Sequence, residues 1–412
     1  MKFDNDDKRI LNQFFTSSDE RDTIYAAKET LPSSILAGLI GKASRAKETF
    51  REIFLKEYMK TNCNLHVDID HGLSSTLQIM KDDSLNFLDK WKNHNSLRDV
   101  PHVAVFCDDL SILQTKVWEH EPVAEYQEKS TRYRPFKADN VYLPGVSDTL
   151  LDRIGPLQDD LVTLYNEIYE ATKKRDVARY LLPVGSRTAM VCFASMRSLE
   201  RIVGRMYDYP TMESQAMAMA IEGHIQQVLP TFKALRGVED YSFLNSPVIH
   251  FVGQGPQCQV ADVIKMENAE VYQILGMIDI GAHRDVQRHR SLIQDLPDYR
   301  AFYGYDKLIF DFIPIMLQTR YRDCMERGII LFHDVYKELW DNKIERIGES
   351  QYCALLGHMT RFRLITDLNR WNYAHDLRTG SPNQNATSEK TVHISYSTWF
   401  HRAQRQIEAL HV

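Results

Sequence analysis

Apolar residues recur every three or four positions through most of this chain, the spacing that gathers them on one face of a helix. After Gly155-Pro156, Leu157, Leu161, Leu164 and Ile168 share a face, while Asp159, Asp160, Glu167 and Glu170 fall mostly elsewhere. The proline marks a helix start, because the first turn tolerates its missing N–H. The same periodicity predicts amphipathic helices over 34–59, 193–206 and 212–233. Apolar runs that predict strands are fewer: 102–107 (HVAVFC), 247–252 (PVIHFV) and 274–280 (ILGMIDI). The polar segment 379–391 reads as a loop. The balance is α+β and helix-rich, without the regular alternation of a doubly wound sheet.

The pattern also repeats. When 178–199 (ARYLLPVGSRTAMVCFASMRSL) is set above 350–371 (SQYCALLGHMTRFRLITDLNRW), Tyr180 meets Tyr352, Gly185 meets Gly357 and Thr188 meets Thr360. WEHE at 118–121 set above QRHR at 287–290 brings His120 to His289, and Arg132 meets Arg300 one residue short of that offset. Two stretches agreeing on a period near 170 predict two diverged copies of one domain, joined near 236–250. The expected domains are 1–240, with the N-terminal helices, and 241–412.

Composition narrows the class. Of 412 residues, 43% are apolar and 26% charged, which is the globular range, and the net charge is −6. That charge excludes a protein that coats nucleic acid with its whole surface and leaves room for a local basic pocket. No apolar run reaches bilayer-spanning length, so no membrane partner is expected. The start, MKFDNDDKRILNQFF, lacks a basic-then-apolar signal pattern. Six cysteines without a CxxC pair suit reduced thiols, and a cytoplasmic protein is expected. His66, Asp68 and Asp70 of HVDIDH share one side of an extended segment, but no distant partner accompanies them; they read as surface groups, and no metal is expected. Met206, Met212, Met217 and Met219, and the aromatic residues near 371–373 and 396–399, read as core filling.

Two short runs carry candidate chemistry. Arg288 and Arg290 bracket His289, and guanidinium forks match phosphate geometry. In an extended segment both forks would share a side; the alternative is a solvated basic patch. In EKSTRY, Glu128, Ser130 and Arg132 alternate, so an extended backbone aims a carboxylate, a hydroxyl and a guanidinium at one ligand. The alternative is a helix cap on Ser130 or Thr131.

These runs resemble the signature RHRxxSxNExSxRY of the flavin-dependent thymidylate synthase family, which also carries ARxxLP. Here ARYLLP stands at 178–183, the ExSxRY end at 128–133 and RHR at 288–290. The chain looks like the tandem branch of that family, in which one chain holds two such domains as a pseudo-dimer. The copies depart from the pattern in complementary ways. In the first, Glu119-His120-Glu121 replaces RHR, and its spacing to EKSTRY is one residue long. In the second, Asp298-Tyr299-Arg300-Ala301 replaces the serine end, and Gln351 and Asn369 replace Arg179 and Arg197.

The resemblance implies reductive C5 methylation of dUMP, with methylenetetrahydrofolate giving the carbon, FAD the hydride and NADPH recharging the flavin. It implies one composite site. Glu128, Ser130, Thr131, Arg132, Arg179 and Arg378 would grip a pyrimidine nucleotide, with Arg179 and Ser130 nearest the chemistry. Arg288, His289, Arg290, Arg197 and Asn369 would hold the flavin. A homodimer of tandem chains is the implied assembly. Two other readings stay open: one-carbon transfer to another pyrimidine nucleotide or nucleoside, and a catalytically inactive nucleotide-binding or assembly paralogue.

Overall fold

The computed structural model describes residues 3–22, 25–28, 30–43, 46, 48–60, 69–90, 95–131, 135–237, 255–266, 269–295, 297–379 and 394–410. In chain order the elements begin with α1 (Asn5–Phe14), α2 (Ser33–Ala43), α3 (Phe50–Ile53) running into a π-helical stretch (Phe54–Lys60), α4 (Ile69–Lys90) and α5 (Asn95–Arg98). Then come β1 (His102–Ser111), α6 (Ile112–Glu119), β2 (Ala124–Glu128), α7 (Asp148–Thr172), α8 (Arg175–Ala178), a 3₁₀ turn (Arg179–Leu181), β3 (Arg187–Ser195), α9 (Met196–Asp208) and α10 (Met212–Val228). The remainder is β4 (Gln257–Met266), β5 (Ala269–Asp279), α11 (Ile280–Gln287), β6 (Ile293–Gln294), α12 (Ile315–Asn342), a 3₁₀ stretch (Ile344–Cys353), β7 (Met359–Asp367), α13 (Leu368–Thr379) and α14 (Ile394–Ala409). The mixed α+β class expected from the pattern is what these elements build.

They form two compact units. One comprises 1–105, 193–204 and 219–235; the other comprises 106–192, 205–218 and 236–412. In the first, Leu11, Phe14, Phe15, Ile35, Leu39 and Phe54 close one core. The single helix expected over 34–59 is broken there. Thr49 and Glu52 form a reciprocal capping box, in which Thr49 N–H donates to Glu52 Oε2 at 2.8 Å and Glu52 N–H to Thr49 Oγ1 at 3.3 Å. That pair starts a new helix at Phe50.

The second unit corrects other expectations. The long helix begins at Asp148, not at Pro156, because Leu150 and Ile154 continue the buried stripe of Leu157, Leu161, Leu164 and Ile168 upstream. A proline inside that helix forfeits one backbone bond. Residues 187–195, part of which read as helix, form β3, buried on both faces for most of its length, so its apolar run lacks the alternation of a half-exposed strand. The strand expected at 274–280 is β5, and the one at 247–252 lies outside the described residues. Trp371 and Trp399 are fully buried, with ring centroids 5.6 Å apart, as core packing requires. Of the methionine stripe, Met206 is buried, but Met212 and Met219 are more than half exposed.

One succession of elements occurs twice. Strand, eight-residue helix, strand, long helix, 3₁₀ turn, strand, helix recurs in that order from β1 to α9 and from β5 to α13, with α8 added before the 3₁₀ turn in the first and short 3₁₀ turns (Ala301–Tyr303 and Leu308–Phe312) added before α12 in the second. The sheet orders agree: β1-β3-β2 in one, and β5-β7-β6 with β4 added outside β5 in the other. The segments after the two 3₁₀ turns pair with each other. Val184 N–H donates to Ala354 O at 2.7 Å and Gly185 N–H to Tyr352 O at 3.2 Å. In return Leu356 N–H donates to Leu182 O and Gly357 N–H to Tyr180 O, both at 2.9 Å. Exchanging each residue for the one 172 positions away maps either pair of bonds onto the other, which is the logic of a two-fold contact.

Candidate functional site

The site is built on two short helices buried along their whole length, α6 and α11. Each is capped by a side chain: Ser111 Oγ accepts from Gln114 N–H at 3.2 Å, and Asp279 Oδ1 from Ala282 N–H at 2.6 Å. Their first amides also dock alike. Ile112 donates to Ser186 O and Ile280 to His358 O, both at 2.9 Å. Both helices close on residues of matching conformation, His120 (φ −70°, ψ −15°) and Arg288 (φ −66°, ψ −12°). These matches fix an offset of 168, not the one that set His120 against His289. The counterpart of RHR is therefore His120-Glu121-Pro122, not Glu119-His120-Glu121. In this register Glu128 lies eight residues past His120, as the signature spacing requires, and the apparent extra residue disappears.

RHR does not lie on a strand. It occupies the turn leaving α11, where Arg288 is the C-cap and His289 N–H donates to Val286 O at 2.9 Å. The structure brings this turn to β2: Arg290 Nη2 donates to Glu125 Oε2 at 2.5 Å. Deeper in, Glu128 at the end of β2 accepts from Arg284 Nη2 at 2.6 Å, and Lys116 Nζ stands 4.0 Å from its other oxygen. Lys116 also pairs with Glu119, and its backbone oxygen accepts from Gln287 Nε2 at 2.9 Å. Burial pushes the Glu128 carboxyl up, but Arg284 and Lys116 together hold it below its usual range. Burial pushes the Lys116 ammonium down. Glu128 is thus engaged between Arg284 and Lys116.

Arg179, on the 3₁₀ turn, donates to Asp285 Oδ2 at 3.2 Å, and the same carboxylate pairs with Arg288. The Nε atoms of Arg179 and Arg284 are buried and have no acceptor.

Beside this network opens a cleft of about 410 Å³. Lys129, Ser130 and Thr131 form one wall, and Ser186, Arg187 and Thr188 of the β3 entry form another, with Lys137 and Asn140 at its edge. The walls are tied together: Lys129 N–H donates to Ala189 O at 2.8 Å, and Thr188 Oγ1 to Lys129 O at 3.2 Å. Ser186 Oγ is buried here without a partner. Among the described residues no carboxylate pairs with Lys129 or Lys137, whereas Arg187 pairs with exposed Asp109.

Arg132 lies outside the described residues, as does the side chain of Arg378 on α13. HVDIDH falls largely outside them too, and among the described residues no group of side chains could hold a metal ion. Arg197 belongs to the other compact unit, where it pairs with Asp99 at 3.0 Å. Asn369 is exposed on the first turn of α13. Lys116, Lys129, Ser186 and Arg187 escaped the sequence reading. A lysine within the otherwise uncharged start of α6, ILQTK, was the one available signal. Burial pushes the thiols of Cys192 and Cys353 up to about 12, so neither supplies a thiolate nucleophile.

Residues 22–231, just over half of the chain, match the family model described as thymidylate synthase complementing protein. A UPF0159 protein of Chlamydia pneumoniae is 20% identical, over 90% of this chain and 88% of that protein. Among solved structures, a UMP/dUMP methylase, PolB from Streptomyces cacaoi bound with 5-Br dUMP, is similar at 15% identity and a TM-score of 0.34, covering 49% of this chain and 89% of that one. No helix among the described residues is long and apolar enough to cross a membrane.

Proposed function

We infer, for a chain that belongs to the thymidylate synthase complementing protein family, an enzyme that methylates C5 of the uracil ring in a pyrimidine nucleotide, with dUMP the first substrate to test. The observation that carries this reading is the cleft at Ser130 and Thr131, where, among the described residues, two lysines lack carboxylate partners and the buried Ser186 Oγ lacks any. A nucleotide phosphate suits Lys129 and Lys137, and a ring carbonyl or sugar hydroxyl suits Ser186. The same reading assigns Arg179, buried and paired with Asp285, to the ring, and Arg132 and Arg378 to the phosphate.

FAD fits the turn after α11. Arg288 and Arg290 are partly exposed, and the partner of Arg290, Glu125, is 72% exposed. An exposed ion pair is worth about 0–1 kcal/mol, so a phosphate can replace the carboxylate on Arg290. When bound, FAD supplies the hydride that turns a methylene from methylenetetrahydrofolate into a methyl group, with NADPH as reductant. His289 and Asn369 are the other flavin contacts in this reading. The chain positions the nucleotide, neutralises phosphate and shields the reacting carbon from water.

The recurring succession of elements supports a tandem duplication near residue 240, with one chain standing where two subunits would and two such chains forming a cytoplasmic homodimer. Division of the motifs follows: most nucleotide groups in the first copy, with Arg378 from the second, and the flavin groups in the second. One observation favours a second reading, a nucleotide-binding paralogue without flavin chemistry. Arg179, Arg284, Arg288 and Arg290 all face protein carboxylates already.

Incubating the purified chain with dUMP, methylenetetrahydrofolate, FAD and NADPH separates them. Formation of dTMP supports the enzyme; nucleotide binding without flavin uptake or product supports the paralogue. UMP in place of dUMP tests the choice of sugar.

A further inference from the structure

We propose that each chain binds one nucleotide, because the surface equivalent to the Ser130 cleft in the second succession of elements is filled and lacks the two lysines and the arginine that line the first. The proposal rests on the nucleotide reading of that cleft and fixes its stoichiometry.

The equivalence comes from backbone bonds. Arg187 N–H donates to Asn140 O, and Met359 N–H donates to Gly304 O, both at 2.9 Å. Tyr142 N–H donates to Gly185 O, and Asp306 N–H to Gly357 O. Val141 bridges to Ser186 as Tyr305 does to His358. The side chains on this common frame differ in one direction.

His358 stands where Ser186 does. Its imidazole is fully buried; Nδ1 accepts from Leu355 N–H at 3.0 Å and Nε2 lies 3.1 Å from Met325 O. The space that Ser186 leaves open, with an unpartnered hydroxyl, is here occupied by a ring whose two nitrogens are both satisfied. Tyr299 stands where Thr131 does, fully buried against His283, with its hydroxyl 3.1 Å from His283 Nδ1. Pro297, Ala301 and Met359 replace Lys129, Lys137 and Arg187, so these three positions are neutral, and Arg300, the counterpart of Arg132, is already paired with Asp298. A dianionic phosphate finds the space occupied there and, at these positions, one cation that a carboxylate already holds.

Equilibrium dialysis of the full chain against dUMP tests this. One dUMP bound per chain is expected, and Lys129→Glu with Lys137→Glu, both exposed positions, should weaken that binding roughly 100-fold or more. Two dUMP per chain would overturn the proposal while leaving the nucleotide reading intact. Full-strength binding that survives the double charge reversal would place the nucleotide elsewhere and overturn it as well. Absence of dUMP binding in the unmodified chain would remove the nucleotide reading itself. Serine at position 358 (His358→Ser) provides an independent check: freeing the pocket without adding cations should leave the count at one, and a rise to two would show that charge was not needed.

Discussion

Lys116 of α6 and Arg284 of α11 occupy equivalent places, 168 residues apart, and both reach one carboxylate, that of Glu128. A strictly symmetric pairing of the two helices would bring like charges together in a buried place. The chain resolves this asymmetrically: Glu119 and Glu128 stand on the side of α6, while neutral Gln287 stands at the position equivalent to Glu119. Removing one partner of a buried ion cluster leaves an uncompensated charge, at a cost of about 3–5 kcal/mol. Glu128→Gln should therefore lose stability on that scale in urea denaturation. Glu125→Gln, which breaks the exposed pair with Arg290, should lose under about 1 kcal/mol. Equal losses would show that the Glu128 cluster is not the asymmetric lock.

Flavin retention is predicted to depend on the α11 turn. Arg288→Ala with Arg290→Ala should leave the purified protein colourless, because each charge-assisted phosphate contact contributes roughly 1.5–3 kcal/mol. Glu125→Ala should act in the opposite direction. The Arg290 fork is held by Glu125 at 2.5 Å, and freeing it removes a competitor for phosphate. FAD titration followed by flavin fluorescence distinguishes the outcomes; weaker binding in Glu125→Ala would mean that the carboxylate positions Arg290 for its ligand.

Acid should destabilise the protein in a window set by two buried imidazoles. Burial pushes His283 down to about 3, with Lys116 and His120 adding to the effect, and pushes His358 down to about 4. The folded chain keeps both neutral while the unfolded chain takes up protons below about 6.5. Stability therefore falls as pH drops from about 6.5 towards 4, by about 1.4 kcal/mol per pH unit for each histidine. Below about 4.5 the Glu128 contribution is lost as well, since its folded carboxyl is held below the usual range. Urea midpoints at pH 7 and pH 5 should differ, and His358→Gln should shrink the difference by about half.

What the sequence made legible follows from which interactions are local. Apolar period was readable because it rests on neighbouring residues, and it leads to α7, α10 and β5. The register at RHR was not. Residue identity favoured aligning His120 with His289, whereas helix caps and docking amides, which depend on Ser186 and His358 far along the chain, set His120 against Arg288. The partners of Glu128 were hidden for the same reason, since Arg284 lies 156 residues away. The break in the 34–59 helix was missed although its signal is local: periodicity alone read through Thr49-x-x-Glu52, the capping box that starts the new helix.

The paired segments after the two 3₁₀ turns give a last prediction, because their two glycines are related by the 172-residue exchange yet differ in what surrounds them. A Cβ on Gly185 would lie 2.6 Å from the backbone oxygen of Tyr142, and that oxygen belongs to a segment whose own amide donates to Gly185 O at 2.7 Å. Neither segment can retreat without breaking the Tyr142 N–H to Gly185 O bond that joins them. A Cβ on Gly357 meets first the Tyr321 hydroxyl at 2.9 Å and then the flexible Met325 side chain. Side-chain ends move at less cost than backbone. Gly185→Ala should therefore destabilise the protein by about 1–3 kcal/mol or more, and Gly357→Ala by clearly less, as read from thermal unfolding. Because Gly185 also hydrogen-bonds across to Tyr352 at 3.2 Å, its substitution should in addition loosen the Ser186 wall and weaken dUMP binding. Equal melting temperatures for the two variants would show that the contact between the segments yields as a whole, and that the close approach at Tyr142 does not hold the cleft in shape.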